Sequence, residues 1–298
     1  MAKTSKSPKR ILQVAHALGK QRLRTYSHKF SPKKFTLPQL FACLVLKEFM
    51  RLDYRKLSTL LKDAPSLAGV IELEKIPHFS TFQKAAARLL VSRRAQRLLD
   101  ETIQAATDHR VMRKNVALAA IDGTGFESRH ISAYFVRRRN RTCKEGYQTT
   151  TYTRFPSANL LCDCDSHLVL AMVTGRGPGP DDPYFQPTLK QAASRANIET
   201  LLADAGYDSE AAHVFAREQY GTRTIIPATR GRPTKKRLRG YWRNRVKTRF
   251  NKIKYGQRWQ VETVNSMIKR SMGSALRARN YWSQSREIAL KVLTHNVM

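Results

Sequence analysis

In the first third of the chain apolar residues recur with helical spacing. Ile11–Leu18 reads as a short helix within a basic, Ser/Pro-punctuated start. Thr36-Leu37-Pro38 offers an N-cap with proline in the first turn, ahead of Leu40, Phe41, Leu44, Val45, Leu46 and Phe49. Further helices are predicted over Tyr54–Leu61, from Ser80 as N-cap through Phe82, Ala85, Ala86, Leu89 and Leu90, and over Ser92–Asp108. At Val116 the period changes. Val116–Ile121, Asn159–Asp163 and Leu168–Val173 read as strands, the last two forming a hairpin around Asp165-Ser166-His167. After the Gly175–Pro180 loop, Asp182 caps a helix, Glu199–Ala203 is a strand, Ser209–Gln219 a helix and Thr222–Pro227 a strand, before a final helix bearing Glu262. Three β elements followed by alternating α and β predict an α/β fold, a mixed sheet with helices on its faces. An all-helical, basic domain (1–112) precedes this one (113–298), and a basic connector (229–254) leads into the last helix.

Charge names the partner class. Lys and Arg outnumber Asp and Glu by 55 to 22 in 298 residues, a formal charge of +33. Such self-repulsion opposes a compact chain unless a polyanion offsets it, so nucleic acid is the expected partner. No acid precedes Glu48, and none lies between Glu218 and Glu262. An acid-free run of that length cannot lace itself with salt bridges. Lys235, Lys236, Arg237 and Arg239 are its densest part, Tyr241, Trp242 and Phe250 interleave with it, and it reads as a segment free to wrap DNA. No segment approaches the roughly 18 apolar residues of a membrane span. Neither a secretory leader nor a disulfide framework is legible, so a reducing, cytoplasmic setting is expected. Cys162 and Cys164 do not have zinc spacing and read as small buried hydrophobes.

The candidate chemistry is carboxylate chemistry. Asp122 follows the apolar run Val116–Ile121 and precedes Gly123-Thr124-Gly125, while Asp204 ends Leu201-Leu202-Ala203. Acids at the carboxyl ends of strands lie where open α/β sheets place their sites. Taken singly, each is as readily a turn former or cap. The third acid changes that balance. Tyr255, Arg258, Glu262 and Lys269 fall at i, i+3, i+7 and i+14, one face of one predicted helix. A carboxylate among two cations and a phenol suits a phosphodiester, the acid holding a metal ion and the cations phosphate oxygens. Two divalent ions about 3.5–4 Å apart would activate an attacking hydroxyl and stabilise a leaving oxygen. Mg²⁺ is the expected ion, with Mn²⁺ able to substitute. Asp163 is a spare acid near the metals, Asp165 a turn residue, Asp182 an N-cap, Asp208 a turn or cap residue, and Trp259 a core residue.

Ile121-Asp122-Gly123-Thr124, Ala203-Asp204-Ala-Gly-Tyr-Asp-Ser209 and the Tyr255, Arg258, Glu262, Lys269 pattern resemble the three acidic motifs of DDE transposases, within them the IS4/IS5-type insertion sequence group. The resemblance covers roughly Ala117 to the C-terminus. It implies an RNase H-like core with Asp122, Asp204 and Glu262 as catalytic metal ligands, and Tyr255, Arg258 and Lys269 against DNA near a transposon end. Transposon terminal inverted repeats and target DNA would be the substrates, engaged by a homodimer. The alternatives are a metal-dependent DNA nuclease without strand transfer and a domesticated DNA-binding protein. The arginine cluster Arg137–Arg139 with Arg141 matches no motif of that family.

Overall fold

The structure, a computed structural model, describes residues 4–30, 32–128, 154–228 and 238–298. Arg137–Arg139, Arg141, Lys235, Lys236 and Arg237 lie outside the described residues. Six helices open the chain: α1 (Pro8–Arg22), α2 (Leu37–Phe49), α3 (Tyr54–Asp63), α4 (Pro65–Gly69), α5 (Phe79–Leu89) and α6 (Ser92–Asp108). The expected cap at Thr36 is a full capping box, with Gln39 N–H donating to Thr36 Oγ1 at 3.3 Å and Thr36 N–H to Gln39 Oε1 at 2.9 Å. α2 is buried nearly all round, as its apolar sequence requires, with α1, α3 and α5 packed against it. Two boundaries differ from the pattern. α1 runs well past Ile11–Leu18 at both ends, because Ser7 caps it and its polar flanks are good helix formers. α5 starts at Phe79, since Ser80 is not its cap and instead pairs with His78 Nδ1 at 2.8 Å.

The second part runs β1 (Asn115–Val116), β2 (Ala119–Gly125), β3 (Glu127–Ser128), β4 (Phe155–Asp163), β5 (Val169–Gly177), α7 (Asp182–Ala193), β6 (Asn197–Ile198) and β7 (Thr200–Leu202). It continues through α8 (Glu210–Tyr220), β8 (Arg223–Ile225), α9 (Tyr241–Thr248), α10 (Lys252–Gly256), α11 (Trp259–Met272), β9 (Ala275–Leu276) and α12 (Tyr281–Val297). The main sheet has the order β5-β4-β2-β7-β8. The β5-β4-β2 pairings are antiparallel and the β2-β7-β8 pairings parallel, which is the RNase H-like arrangement implied above. Alternation along β2 splits its side chains between two clusters. Ile121 joins Phe185, Leu189, Leu201 and Tyr207 under α7 and α8. Ala120 joins Leu160 and Leu202 against α11, α12 and the N-terminal helices, so one hydrophobic core runs across the 112/113 boundary.

At the β4–β5 hairpin Asp163 is not a spare acid near the carboxylates of β2. Its side chain accepts from Asp165 N–H at 3.2 Å, Ser166 N–H at 3.1 Å and Ser166 Oγ at 2.6 Å, and so builds the turn. Cys162 is fully buried, while Cys164 is only partly so, and burial pushes its thiol up to about 12.

Candidate active site

Strand register brings the first two acids together. Ala120 pairs with Leu202 in the parallel β2–β7 ladder. Two residues on, each strand reaches its aspartate, Asp122 and Asp204, so the ladder sets the carboxylates on neighbouring strands at one level. The ladder itself stops at Ala120 and Leu202, and the cleft between the strands opens there. Asp122 is not the last residue of its strand as the pattern predicted. β2 continues to Gly125, because Gly123 and Gly125 pair with Asn159 and Ser157 of β4. Asp204 caps a 3-10 turn (Ala205–Tyr207), its Oδ1 accepting from Gly206 N–H at 2.7 Å.

α11 supplies the third acid, in its first turn, where a carboxylate favours the helix dipole. Arg258, just before the helix, joins the acids: its guanidinium donates to Glu262 Oε1, and Nη1 stands 3.8 Å from Asp122 Oδ1. Asn265, one turn along, donates to Asp122 Oδ2 at 3.0 Å. Lys269 extends over the Phe126 ring, 5.6 Å from its centroid. The single helix expected from Tyr255 to Lys269 is in fact two. Gly256 ends α10, and the bonds Gln257 N–H to Lys254 O and Arg258 N–H to Tyr255 O wind the junction more tightly than an α-helix. Tyr255 therefore sits on α10, packed on Phe250 with ring centroids 5.0 Å apart.

A fourth carboxylate, Asp181, escaped the sequence pattern. The cap position of α7 is Asp181 rather than Asp182, and its side chain makes no cap bond. It lies over the backbone of β2 and of the 3-10 turn after β7 instead: a methyl group at Gly123 would stand 2.9 Å from its Oδ1, and one at Gly206 3.0 Å from its Oδ2. Asp182 accepts from Ser209 Oγ at 2.6 Å. Beneath the acids Tyr207 is fully buried and donates to Asn159 Oδ1 at 2.5 Å. The only signals for Asp181 in the sequence were its place after a Gly/Pro loop and the bare glycines that receive it.

Burial, with like charges beside it, marks this cluster. Burial pushes Asp122 up to about 6, Arg258 opposes that, and Asp204, Glu262 and Asp181 add to it. Asp181 is raised by burial and by Asp204. Burial also raises Tyr207, helped by the three aspartates. Among the described residues no three His, Cys, Asp or Glu side chains already stand close enough to hold one ion. The donor set nevertheless fits a hard divalent cation: oxygen ligands only, more carboxylates than Arg258 alone can neutralise, and a cleft with glycine walls. Of the remaining expectations, Arg239 lies just before α9, where its carbonyl accepts from Arg243 Nη1 at 3.4 Å. Trp259 is half exposed rather than in the core.

The basic run is also not a free connector over its described part. Asp208 closes the 3-10 turn as its C-cap, its N–H donating to Ala205 O at 3.2 Å, and its buried side chain accepts from Arg243 Nη2 at 2.6 Å. Glu210 accepts from Trp242 N–H at 3.0 Å and Arg243 N–H at 3.1 Å, holding the start of α9.

The family model described as the transposase DDE domain matches residues 117–297. No curated protein matches the chain in sequence. A cryo-EM structure of the piggyBac transposase synaptic complex with hairpin DNA is similar at 12% identity and a TM-score of 0.41, over 98% of this chain and 73% of that one. The Mos1 transposase paired-end complex with left transposon end gives 10% identity and a TM-score of 0.26, over 85% of this chain and 82% of that one. For the Mos1 mariner paired end complex with Mn the values are 11% and 0.25, over 91% and 89%. No helix among the described residues is long and apolar enough to cross a membrane. The sequence match spans more than half of the chain and contains all three acidic motifs, and on it this protein belongs to the DDE transposase family.

Proposed function

We propose that this enzyme is a transposase of the IS4/IS5-type group that cuts DNA at terminal inverted repeats and joins the freed 3′ hydroxyl to target DNA. The observation that carries the reading is the parallel register that levels Asp122 with Asp204, with Arg258 tying Glu262 to the same cleft. Asp122, Asp204 and Glu262 are the catalytic residues and would hold two divalent ions, Mg²⁺ in the cell. The ions would supply Lewis-acid stabilisation at the attacking and leaving oxygens of an in-line substitution at phosphorus. Asn265 holds the Asp122 carboxylate in one orientation, and Arg258 neutralises the acids while offering a planar donor to a phosphate oxygen. Lys269 is the next cation along the same helix and, with Tyr255, faces the strand being cut. The region 1–112 recognises the transposon ends, and 113–298 carries the chemistry. The active form is a homodimer holding paired ends, working in the cytoplasm.

The test is joining. Incubated with Mg²⁺, pre-cut transposon ends and a target plasmid, the enzyme should give covalent end–plasmid products. Cleavage of uncut ends without any joined product would leave a nuclease and overturn the strand-transfer reading.

A further inference from the structure

Beyond the carboxylate cleft, a cavity of about 430 Å³ lies against β8, the edge strand of the sheet. Its cations come from four separate elements: Arg217 on α8, Arg223 opening β8, Arg245 and Arg249 in and just after α9, and Lys254 on α10. No carboxylate lines it, and among the described residues none of these five forms an ion pair. Folding has gathered like charges that repel. The two acids at the start of α8, Asp208 and Glu210, are engaged in docking α9, which carries Arg245 to the cavity.

Arg217 is the most built of the five. Its guanidinium stacks 4.4 Å from the centroid of Trp242, and Nη2 donates to Thr224 O at 3.1 Å. Its Nε is buried and has no hydrogen-bond partner. Burial and the neighbouring Arg223 and Arg245 lower its affinity for its proton. A planar guanidinium fixed by stacking, with a donor in hand and further cations around it, is the arrangement that takes a phosphate. We propose that this cavity is a second DNA site, holding a backbone phosphodiester apart from the carboxylates that cut. Lys254, which lines it, is followed on α10 by Tyr255, the phenol proposed to face the strand being cut. The inference rests on the DNA transposase reading, and two of its arginines, Arg217 and Arg223, lie outside the basic connector (229–254) that the sequence singled out.

The test uses the full chain, a fluorescein-labelled duplex and anisotropy across a salt series. Arg217 is left intact because it packs structurally. The variant Arg223→Gln/Arg245→Gln/Arg249→Gln should bind DNA with a slope of log K against log salt shallower by about 0.9 for each phosphate lost. Its DNA-free melting temperature should equal or exceed that of the wild type, as repulsion is relieved. A wild type with a steep slope that the variant retains would overturn the second site while leaving the transposase reading intact. A wild type that binds no DNA would overturn both. Inorganic phosphate raising the melting temperature of the wild type alone, with DNA slopes equal in the two proteins, would mark a free-anion site and also overturn the proposal.

Discussion

Glu48 is the acid whose loss should be felt most widely. It is 4% exposed and lies between Lys47 and Lys291, which are 7% and 1% exposed. Lys47 Nζ donates to Glu48 Oε2 at 2.9 Å, and Lys291 Nζ donates to Oε1 at 2.7 Å and to Met272 O at 2.7 Å. One carboxylate thus ties α2 to α12 and to the end of the helix that bears Glu262. Glu48→Ala strands two buried ammonium groups, and breaking a buried pair costs about 3–5 kcal/mol. Lys291 keeps Met272 O and Lys47 keeps the face of Tyr54, 5.4 Å away, so the low end applies. With about 2–4 °C per kcal/mol for a chain of this order of size, the melting temperature should fall by about 6–12 °C. Burial alone would raise the Glu48 carboxyl, but Lys47 and Lys291 outweigh it and hold it below its ordinary value. Its folded value is therefore depressed, so its contribution is full above the unfolded value of about 4.3 and is lost as pH falls through the folded one. Scanning fluorimetry of wild type and variant should show a constant gap from neutral pH down to that point, closing below it. Equal melting temperatures at neutral pH would refute the reasoning. The variant Lys47→Met/Glu48→Met/Lys291→Met should recover most of the loss, because apolar replacement of a buried ion group is often neutral or better.

Other consequences are local. Asp208→Asn should loosen the tie of Arg243, and with it α9, to the start of α8 while the sheet stays folded, seen as faster tryptic cleavage at Arg245 and Lys247 with little change in overall melting. Gly123→Ala forces a methyl to 2.9 Å from Asp181 Oδ1, so it should shrink the thermal shift produced by Mn²⁺ and leave DNA affinity unchanged. Arg258→Gln removes the cation between Asp122 and Glu262 and should tighten Mn²⁺ binding by calorimetry while slowing cleavage.

The periodicities were enough to find α2, α6, β4, β5 and α8, because each is a compact apolar or amphipathic run bounded by polar or turn residues. Boundaries failed where a partner decides them. β2 runs past Asp122 because β4 pairs with its glycines, and the helix before Glu262 breaks after Gly256, where tight bonds at 257 and 258 put Tyr255 on a separate short helix. Asp122, Asp204 and Glu262 were legible from their motifs, but their juxtaposition depends on a parallel register that local sequence does not encode. Asp181 was hidden by Asp182-Pro183, which is the better-looking cap. Asp208 was read as a turn or cap residue, which it is, but its side-chain partner, Arg243, lies on a distant helix that reaches it only through the fold. The cation cavity was half visible, as a basic run, and half invisible, as Arg217 and Arg223 on elements that looked ordinary.

The most direct test of the central claim is single-turnover cleavage of a plasmid bearing the element's own ends, in Mg²⁺, by the wild type and by Asp122→Ala, Asp204→Ala and Glu262→Ala. The account expects each substitution to abolish cleavage while the affinity for the ends, which rests on cations, stays near that of the wild type. Retention of wild-type cleavage by any one of the three would contradict it.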